Sequence, residues 1–442
     1  MTTSTGTAAP AGVLRRVLGG TSLLVLGRLW GSGCTFLALW LLASHLGKAE
    51  FGRYTFYLAI FMLLDSFVDC GTGAIAVQRT ADDPGEVPAV LAATRRIRLV
   101  AGLLGVALVG GGAFAVGEPG AGWILLASLY PVTHVLELSA TVFKNRIAWR
   151  TPVLVRAFAA GASLSLVLLF LFLDVQEPGL FLCAVAGGSA TANFVLHFVS
   201  RPHLPAERAT QVPWRPVLAA ALPLGLASLC QQTYFYVDNV FIRLWIGDVT
   251  LGHYNVGVRL MSVAIMAGVY AALVSLPWFK REYAEGRLGP AVARLGQPIF
   301  ALAGLATGLL APWSAQLLAL FGEEFVEAST SLRWLLGAAA LVYVGATMMT
   351  ALVATGRTGH VLTVAATGLV VNLVGNSLLV PRLGIDGAAI ATFATEGTVV
   401  LGAGLFLARA GVHRFAGARA WPWLGGPALF GLGWALSASL LP

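Results

Sequence analysis

Besides those counted with the flanking loops, eight ionisable side chains fall inside otherwise apolar stretches of this 442-residue chain: Arg28, Asp65, Asp69, Glu137, Asp238, Arg259, Arg333 and Glu396. At the centre of a membrane-inserted helix such a group costs about 2.5–3.5 kcal/mol, so each needs a partner, water or a function. The densest polar cluster is Gln231, Gln232, Tyr234, Tyr236, Asp238 and Asn239. Just beyond it, Asn255, Arg259 and Ser262 recur at i, i+4 and i+7, one polar face on an apolar helix. Guanidinium groups bind phosphate bidentately, which makes Arg28 and Arg259 candidate ligands for an anionic group, with Gln231, Gln232 and Asn255 as hydrogen-bonding neighbours. Plainer alternatives stand beside these. Arg28 could snorkel to the inner interface. Asp238 and Arg259, each roughly 10–12 Å deep at 1.5 Å per residue, could form a permanent ion pair across their hairpin instead of releasing the arginine to a ligand. Asp65 and Asp69, one turn apart, are candidates for ion coupling or for pairing with Arg28. Asp238 and Glu396 are the other coupling or gating candidates, for H⁺ or Na⁺. Asn372 and Asn376 line a further candidate binding face, or act as interhelical glue. Glu137 is expected to hydrogen-bond near a kink, and Arg333 to anchor the outer end of its helix.

The elements that must position these groups follow from composition. Hydrophobic residues make up 57% of the chain and charged ones 11%, against about 25% charged in an average soluble domain. So little charge cannot coat a soluble surface, and lipid must be the solvent for much of the chain. Basic residues sit in short loops, with no basic helix or aromatic-studded sheet to hold nucleic acid. Cys34, Cys70, Cys183 and Cys230 lie within apolar stretches at no metal-ligand spacing, so neither a disulfide nor a metal site is expected. No Walker-type phosphate loop is present, which excludes direct use of ATP, and no organic cofactor is implied.

Twelve stretches are long enough to span a bilayer: 21–43, 55–78, 97–116, 121–142, 153–173, 179–199, 216–245, 253–277, 295–312, 330–354, 361–380 and 387–408. The first is read as a retained helix, since it lacks a convincing cleavage site. A thirteenth, Trp423 to Leu441, either crosses or lies along the surface. With the N-terminus inside, alternate segments carry 21 basic residues, Arg95, Arg96 and Arg98 among them as loop charges, and the opposite loops four: Lys48, Arg53, Arg243 and Arg382. That asymmetry obeys the positive-inside rule and orients the chain as a multi-pass protein with a cytoplasmic N-terminus.

The chain also repeats at an offset of 200 residues. Gly47, Gly52 and Tyr54 correspond to Gly247, Gly252 and Tyr254, in the pattern apolar-Gly-x4-Gly-x-Tyr. Glycines permit the tight turn, and the tyrosines are placed to meet the membrane–water interface. Six helices separate the copies, so the repeat is parallel, about an axis along the membrane normal. The implied organisation is a cytoplasmic tail (1–20), a six-helix lobe (21–200), a cytoplasmic linker (201–215), a second six-helix lobe (216–410) and a cytoplasmic loop with an extra helix (411–442).

At these hairpins the runs LASHLGKAEFGRYTFYLAI and DCGTGAIAVQR resemble the oligosaccharide flippases of the polysaccharide export family. Later segments agree: YVDNVFIRLWIGDVTLGHYNVGVRL, LLALFGEEFVEASTSLRWL, ALVATGRTGH and LGIDGAAIATFATE. The resemblance covers about residues 20 to 410. It implies an all-α integral membrane fold of 12 or 13 helices, in the V-shaped two-lobe architecture shared with multidrug/toxin antiporters and lipid II flippases. It further implies transport, by alternating access, of a polyprenyl-diphosphate-linked glycan for O-antigen, lipopolysaccharide, capsule or exopolysaccharide assembly in the bacterial inner membrane. The partners expected are membrane lipids, a polysaccharide polymerase and chain-length machinery, around a monomer. The competing readings are a cation-coupled multidrug antiporter and, from another class, a membrane polysaccharide polymerase or glycosyltransferase. The last would need a sizeable outer loop with paired catalytic carboxylates, and no outer loop exceeds about 20 residues.

Overall fold

The computed structural model describes residues 11–80, 84–146, 148–205, 212–412 and 425–438. Arg208, Arg414, Arg419 and both ends of the thirteenth stretch, 423–424 and 439–441, lie outside the described residues. Within them the chain forms helices α1 (Ala11–His45), α2 (Lys48–Asp69), α3 (Thr72–Thr80), α4 (Val87–Val106), α5 (Gly112–Ala115), α6 (Ala121–Ala127), α7 (His134–Glu137), α8 (Thr141–Asn145), α9 (Arg150–Phe172) and α10 (Pro178–Ser200). These are followed by α11 (Trp214–Tyr236), α12 (Asp238–Trp245), α13 (Asp248–Ala284), α14 (Leu288–Leu310), α15 (Ser314–Ala319), α16 (Ser329–Ala354), α17 (Thr358–Leu383), α18 (Ile385–Arg409) and α19 (Gly425–Ala438). No strand occurs among the described residues.

Eleven helical segments among the described residues are long and apolar enough to cross a membrane. They match the expected stretches except 216–245. That stretch is divided into α11 and α12 at Val237, and its Gln, Tyr and Asp residues are the polar cluster noted above. Large apolar side chains on the spans face outward: Phe172 is 86% exposed, Leu401 75% and Phe158 74%. A water-soluble protein would not leave so many uncovered, and lipid is their natural environment.

Several spans are broken where the sequence dictates. Between α6 and α8 the helix passes through two 3-10 turns, Tyr130–Thr133 and Leu138–Ala140. Pro131 lacks an N–H and cannot close the preceding helical turn. Between α2 and α3 the backbone turns left-handed at Cys70 (φ 43°) and Gly71 (φ 72°). A Cβ on Gly71 would lie 2.7 Å from the Ala221 carbonyl oxygen, so only glycine fits this turn.

Contacts divide the chain into two compact units. One comprises Met1–Ala38, Thr72–Asp174 and Cys183–Ala220, and the other Leu39–Gly71, Val175–Leu182 and Ala221–Pro442. At the centre of the second unit lies α16, packed by α13, α14 and α18. Small residues such as Ala338, Ala339 and Gly345 let these helices approach closely. Of the thirteenth stretch, the described residues form α19, 14 residues and about 21 Å of helix. It runs parallel to α14: Gly304 meets the Gly426 carbonyl and Gly308 the Phe430 carbonyl, so the two helices advance together.

Candidate functional site

The polar residues of the second unit form a connected seam where α2, α12, α13, α17 and α18 meet. It begins at the repeat. Gly47 (φ 73°) and Gly247 (φ 116°) start α2 and α13 with turns that only glycine adopts readily. Five residues on, the helices cross at Gly52 and Gly252. A Cβ on Gly52 would overlap the Asp248 carbonyl, and one on Gly252 would lie 3.0 Å from the Lys48 carbonyl oxygen. Thus α2, which the repeat assigns to the first lobe, packs on its counterpart α13 inside the second unit. Tyr54 and Tyr254 are both 1% exposed. Their rings are enclosed by protein beside the glycine crossing rather than presented to the surroundings, as the interfacial role expected for them would require.

Next along the seam is Asn255. Its Nδ2 donates to Thr55 Oγ1 (3.0 Å) and to Asn239 Oδ1 (2.7 Å). Thr55 Oγ1 in turn donates to the Gly52 carbonyl (3.0 Å), and Asn239 Nδ2 to the Tyr236 carbonyl (3.0 Å). The break at Val237 thereby hands its unsatisfied backbone acceptor to a side chain.

Asp238 is buried at the start of α12, where the helix dipole suits a carboxyl group. Its Oδ2 accepts from Tyr254 Oη (2.6 Å) and Thr392 Oγ1 (3.0 Å), and its Oδ1 from Asn376 Nδ2 (3.4 Å). Asn376 Nδ2 also reaches Asn372 Oδ1 (3.0 Å). This carboxyl therefore ties α12 to α13, α17 and α18. The hairpin ion pair between Asp238 and Arg259 is not formed, because the break at Val237 commits both carboxyl oxygens to this cage.

Arg259 stands one turn beyond Asn255 on α13. It is half-buried, its Nε has no hydrogen-bond partner, and no carboxylate among the described residues lies within ion-pair distance. The phenols of Tyr54 and Tyr236 are close enough to feel its charge. Glu396 sits on α18 one turn after Thr392. It is buried beside Tyr234 and Gly345, without a hydrogen bond or ion pair among the described residues. A carboxyl so enclosed needs a proton or a cation to be stable. Gln231 is exposed and Gln232 half-buried, on the turns of α11 before Asp238. Asp65 is half-buried on α2 near Tyr236. Asp69 accepts from the Gly71 N–H (3.1 Å) and so holds the left-handed turn that ends α2.

The first unit has its own polar centre. Arg98, read as a loop charge, is 2% exposed. Its Nε donates to Thr72 Oγ1 (2.9 Å) and its Nη1 to the His134 carbonyl (3.0 Å), and it pairs with Glu137 at 3.4 Å. Glu137 also pairs with Arg156 at 2.5 Å. Glu137 thus lies at the Pro131 kink as expected, and Arg98 holds a carbonyl there. Arg28 is exposed on α1, in the first unit. No group of His, Cys, Asp and Glu among the described residues has the form of a metal site. Thr55 and Thr392 were not anticipated. The 200-residue offset from Asn255 points to the first, and the one-turn spacing from Glu396 to the second.

No curated protein sequence matches significantly. Solved structures match closely in fold at low identity. The lipid II flippase MurJ in an inward closed conformation aligns with a TM-score of 0.74 at 13% identity, covering 95% of this chain and 98% of that one. An inward-facing multidrug resistance MATE transporter gives 0.66 at 15%, covering 88% and 96%. A transporter of the same MOP superfamily from Pyrococcus furiosus, described as having a binding pocket of reversed polarity, gives 0.65 at 14%, covering 90% and 96%. Such likeness establishes the fold: an all-α membrane protein of the two-lobed transporter type. The sequence profile of the polysaccharide biosynthesis protein family matches residues 17–282, more than half of the chain, and the protein belongs to that family.

Proposed function

We propose that the protein is a flippase that carries a polyprenyl-diphosphate-linked oligosaccharide from the cytoplasmic to the outer leaflet of a bacterial plasma membrane, for O-antigen, capsule or exopolysaccharide assembly. The observation that carries this reading is Arg259, a half-buried guanidinium in a membrane helix with no carboxylate partner among the described residues. A diphosphate supplies the missing charge in the bidentate geometry guanidinium favours. The amide of Asn255 one turn away and the phenols of Tyr54 and Tyr236 beside it suit sugar hydroxyls once α2 and α13 separate, and Gln231 and Gln232 on α11 are further candidate hydrogen-bonding groups. Arg28, on α1 in the first unit, is a separate candidate phosphate ligand in this reading. Membership in a polysaccharide biosynthesis family supports a glycan cargo, and the fold shared with MurJ supports a lipid-linked one.

In this proposal the N-terminus is cytoplasmic, the lobes are 21–200 and 216–410, and the chain acts as a monomer beside a polymerase and its chain-length partner. The Asp238 cage, with Asn376 and Thr392, is the seat of a coupling H⁺ or Na⁺, and Glu396 carries a second proton or cation. Reconstituted protein should move a labelled polyprenyl-diphosphate sugar between leaflets. Arg259→Gln should weaken its apparent affinity about 10- to 100-fold, as expected for one hydrogen bond to a charged group. Unchanged transport in the Arg28→Ala, Arg259→Ala double variant would sink the phosphate role. The antiporter reading is favoured by the buried acids Asp238 and Glu396, and uptake of a lipophilic cation driven by a Na⁺ or H⁺ gradient would establish it.

A further inference from the structure

A cleft of about 450 Å³ opens in the second unit between α14, α16, α18 and α19, away from the polar seam. That volume is typical of small-molecule sites. Its walls are almost wholly apolar and aromatic: Phe300, Trp334, Leu341, Phe393, Phe430 and Trp434. Its polar contributions are Thr330 and Arg333, both in the first turns of α16. The Arg333 guanidinium lies 5.8 Å from the centre of the Trp434 ring, so it overhangs the cleft. Its Nε is buried without a hydrogen-bond partner, and no carboxylate among the described residues lies within ion-pair distance of it. Simple snorkelling would leave that nitrogen in water.

One wall of the cleft is fixed. Gly304, Gly308 and Gly433 leave no room for a Cβ between α14 and α19, so α19 is seated backbone to backbone. The cleft is therefore a built feature beside a helix docked through glycines. An occupant must be hydrocarbon along most of its length and anionic at the end where α16 begins. That amphiphilic pattern is the pattern of a membrane phospholipid.

We infer that this cleft holds one anionic glycerophospholipid, an acyl chain lying among Phe300, Phe393 and Phe430 and its phosphate on Arg333 and Thr330. The guanidinium donates two parallel N–H bonds to the phosphate oxygens, and the Thr330 hydroxyl, exposed at the rim, donates a third. Trp334 and Trp434 place the head at the depth where indole rings favour the membrane–water boundary. In the topology proposed above this is the outer leaflet; the site itself does not depend on which cargo the seam carries. Its occupant steadies α19 against α16 and α18 as a structural lipid.

Native mass spectrometry of the full chain, titrated in detergent with dioleoylphosphatidylglycerol or dioleoylphosphatidylcholine, tests the inference. One phosphatidylglycerol should be retained at least tenfold more tightly than phosphatidylcholine. Arg333→Gln should abolish that preference, and Arg333→Lys should keep part of it, as a point charge without the fork. Leu341→Trp, which fills the cleft but leaves Arg333, should lose the lipid as well, and it provides an independent test if the arginine variant folds poorly. Phosphatidylglycerol with a diazirine in one chain should crosslink at Phe300, Phe393, Phe430 or Trp434. The inference is overturned by unchanged lipid preference in both variants, or by crosslinks that map elsewhere. It is equally overturned if undecaprenyl phosphate displaces phosphatidylglycerol at equal concentration, which would give the cleft to a cargo tail. A lipid-free mass of two chains would give it to a second copy and overturn it too.

Discussion

Asn255 and Thr55, 200 residues apart, are joined by a hydrogen bond of 3.0 Å from Nδ2 to Oγ1. The two positions are equivalent in the internal repeat, so the link joins one copy of the repeated hairpin to the other. It lies just past the Gly52–Gly252 crossing and continues to Asn239 at the break before α12. If α2 and α13 must separate for cargo to pass, this bond has to open. Cysteines at 55 and 255 in a background lacking the four native cysteines should therefore form a disulfide and stop transport, with activity restored by reductant. Full transport by the oxidised pair would show that these helices stay together through the cycle.

Gly52→Ala should destabilise the protein although alanine favours helix over glycine by about 0.5–1 kcal/mol. The added methyl would overlap the Asp248 carbonyl, a backbone atom that cannot swing aside. Overpacking of this kind costs about 1–3 kcal/mol, which outweighs the helix gain. Gly252→Ala meets the Lys48 oxygen at 3.0 Å and should cost less. Thermal unfolding in detergent, followed by intrinsic fluorescence, gives the order.

The spans were legible because their cause is local: about twenty apolar residues in a row, with loop charges to orient them. The glycine turns were legible for the same reason. Pairing was not. Sequence spacing places Asp238 and Arg259 at similar depth on adjacent helices, and depth alone suggests an ion pair. The outcome depends on the Val237 break and on Tyr254, Thr392 and Asn376, which come from three other helices. Arg98 was counted as a loop charge because its neighbours Arg95 and Arg96 are, yet α4 begins eleven residues earlier and buries it. Rotational setting about a helix axis depends on tertiary neighbours, which a hydropathy window does not contain.

Asp238→Asn should leave the fold nearly as stable as the natural protein. Tyr254 and Thr392 can still donate to the remaining oxygen, and the Asn376 Oδ1, which has no partner now, can accept from the new amide once the Asn376 amide turns over and Asn372 turns with it, its unpartnered Nδ2 replacing the bond that Asn376 Nδ2 gives up. Asp238→Ala removes the acceptor from all three donors, and buried donors left unpaired cost about 1–3 kcal/mol each. The alanine variant should melt well below the asparagine variant. In the proposed coupling role, both should lose dependence of transport on a Na⁺ or H⁺ gradient, whereas a purely structural carboxyl would leave that dependence intact in Asp238→Asn.

The two arginines on Glu137 should differ sharply in their importance. Arg98 has a side chain only 3% exposed and holds Thr72, the His134 carbonyl and the Glu137 carboxylate together at the kink. Breaking a buried pair from one side costs about 3–5 kcal/mol, because Thr72, the His134 carbonyl and one carboxylate oxygen lose a donor in a low-dielectric setting, while Arg156 stays on the other oxygen. Arg156 makes the shorter contact, at 2.5 Å, but its side chain is 49% exposed. Pairs that water can reach contribute about 0–1 kcal/mol. Arg98→Met should accordingly reduce yield and melting temperature far more than Arg156→Met does, despite the longer distance. Equal effects would mean that Glu137 depends on both arginines alike, and that the kink is held by Pro131 and local backbone bonds rather than by Arg98.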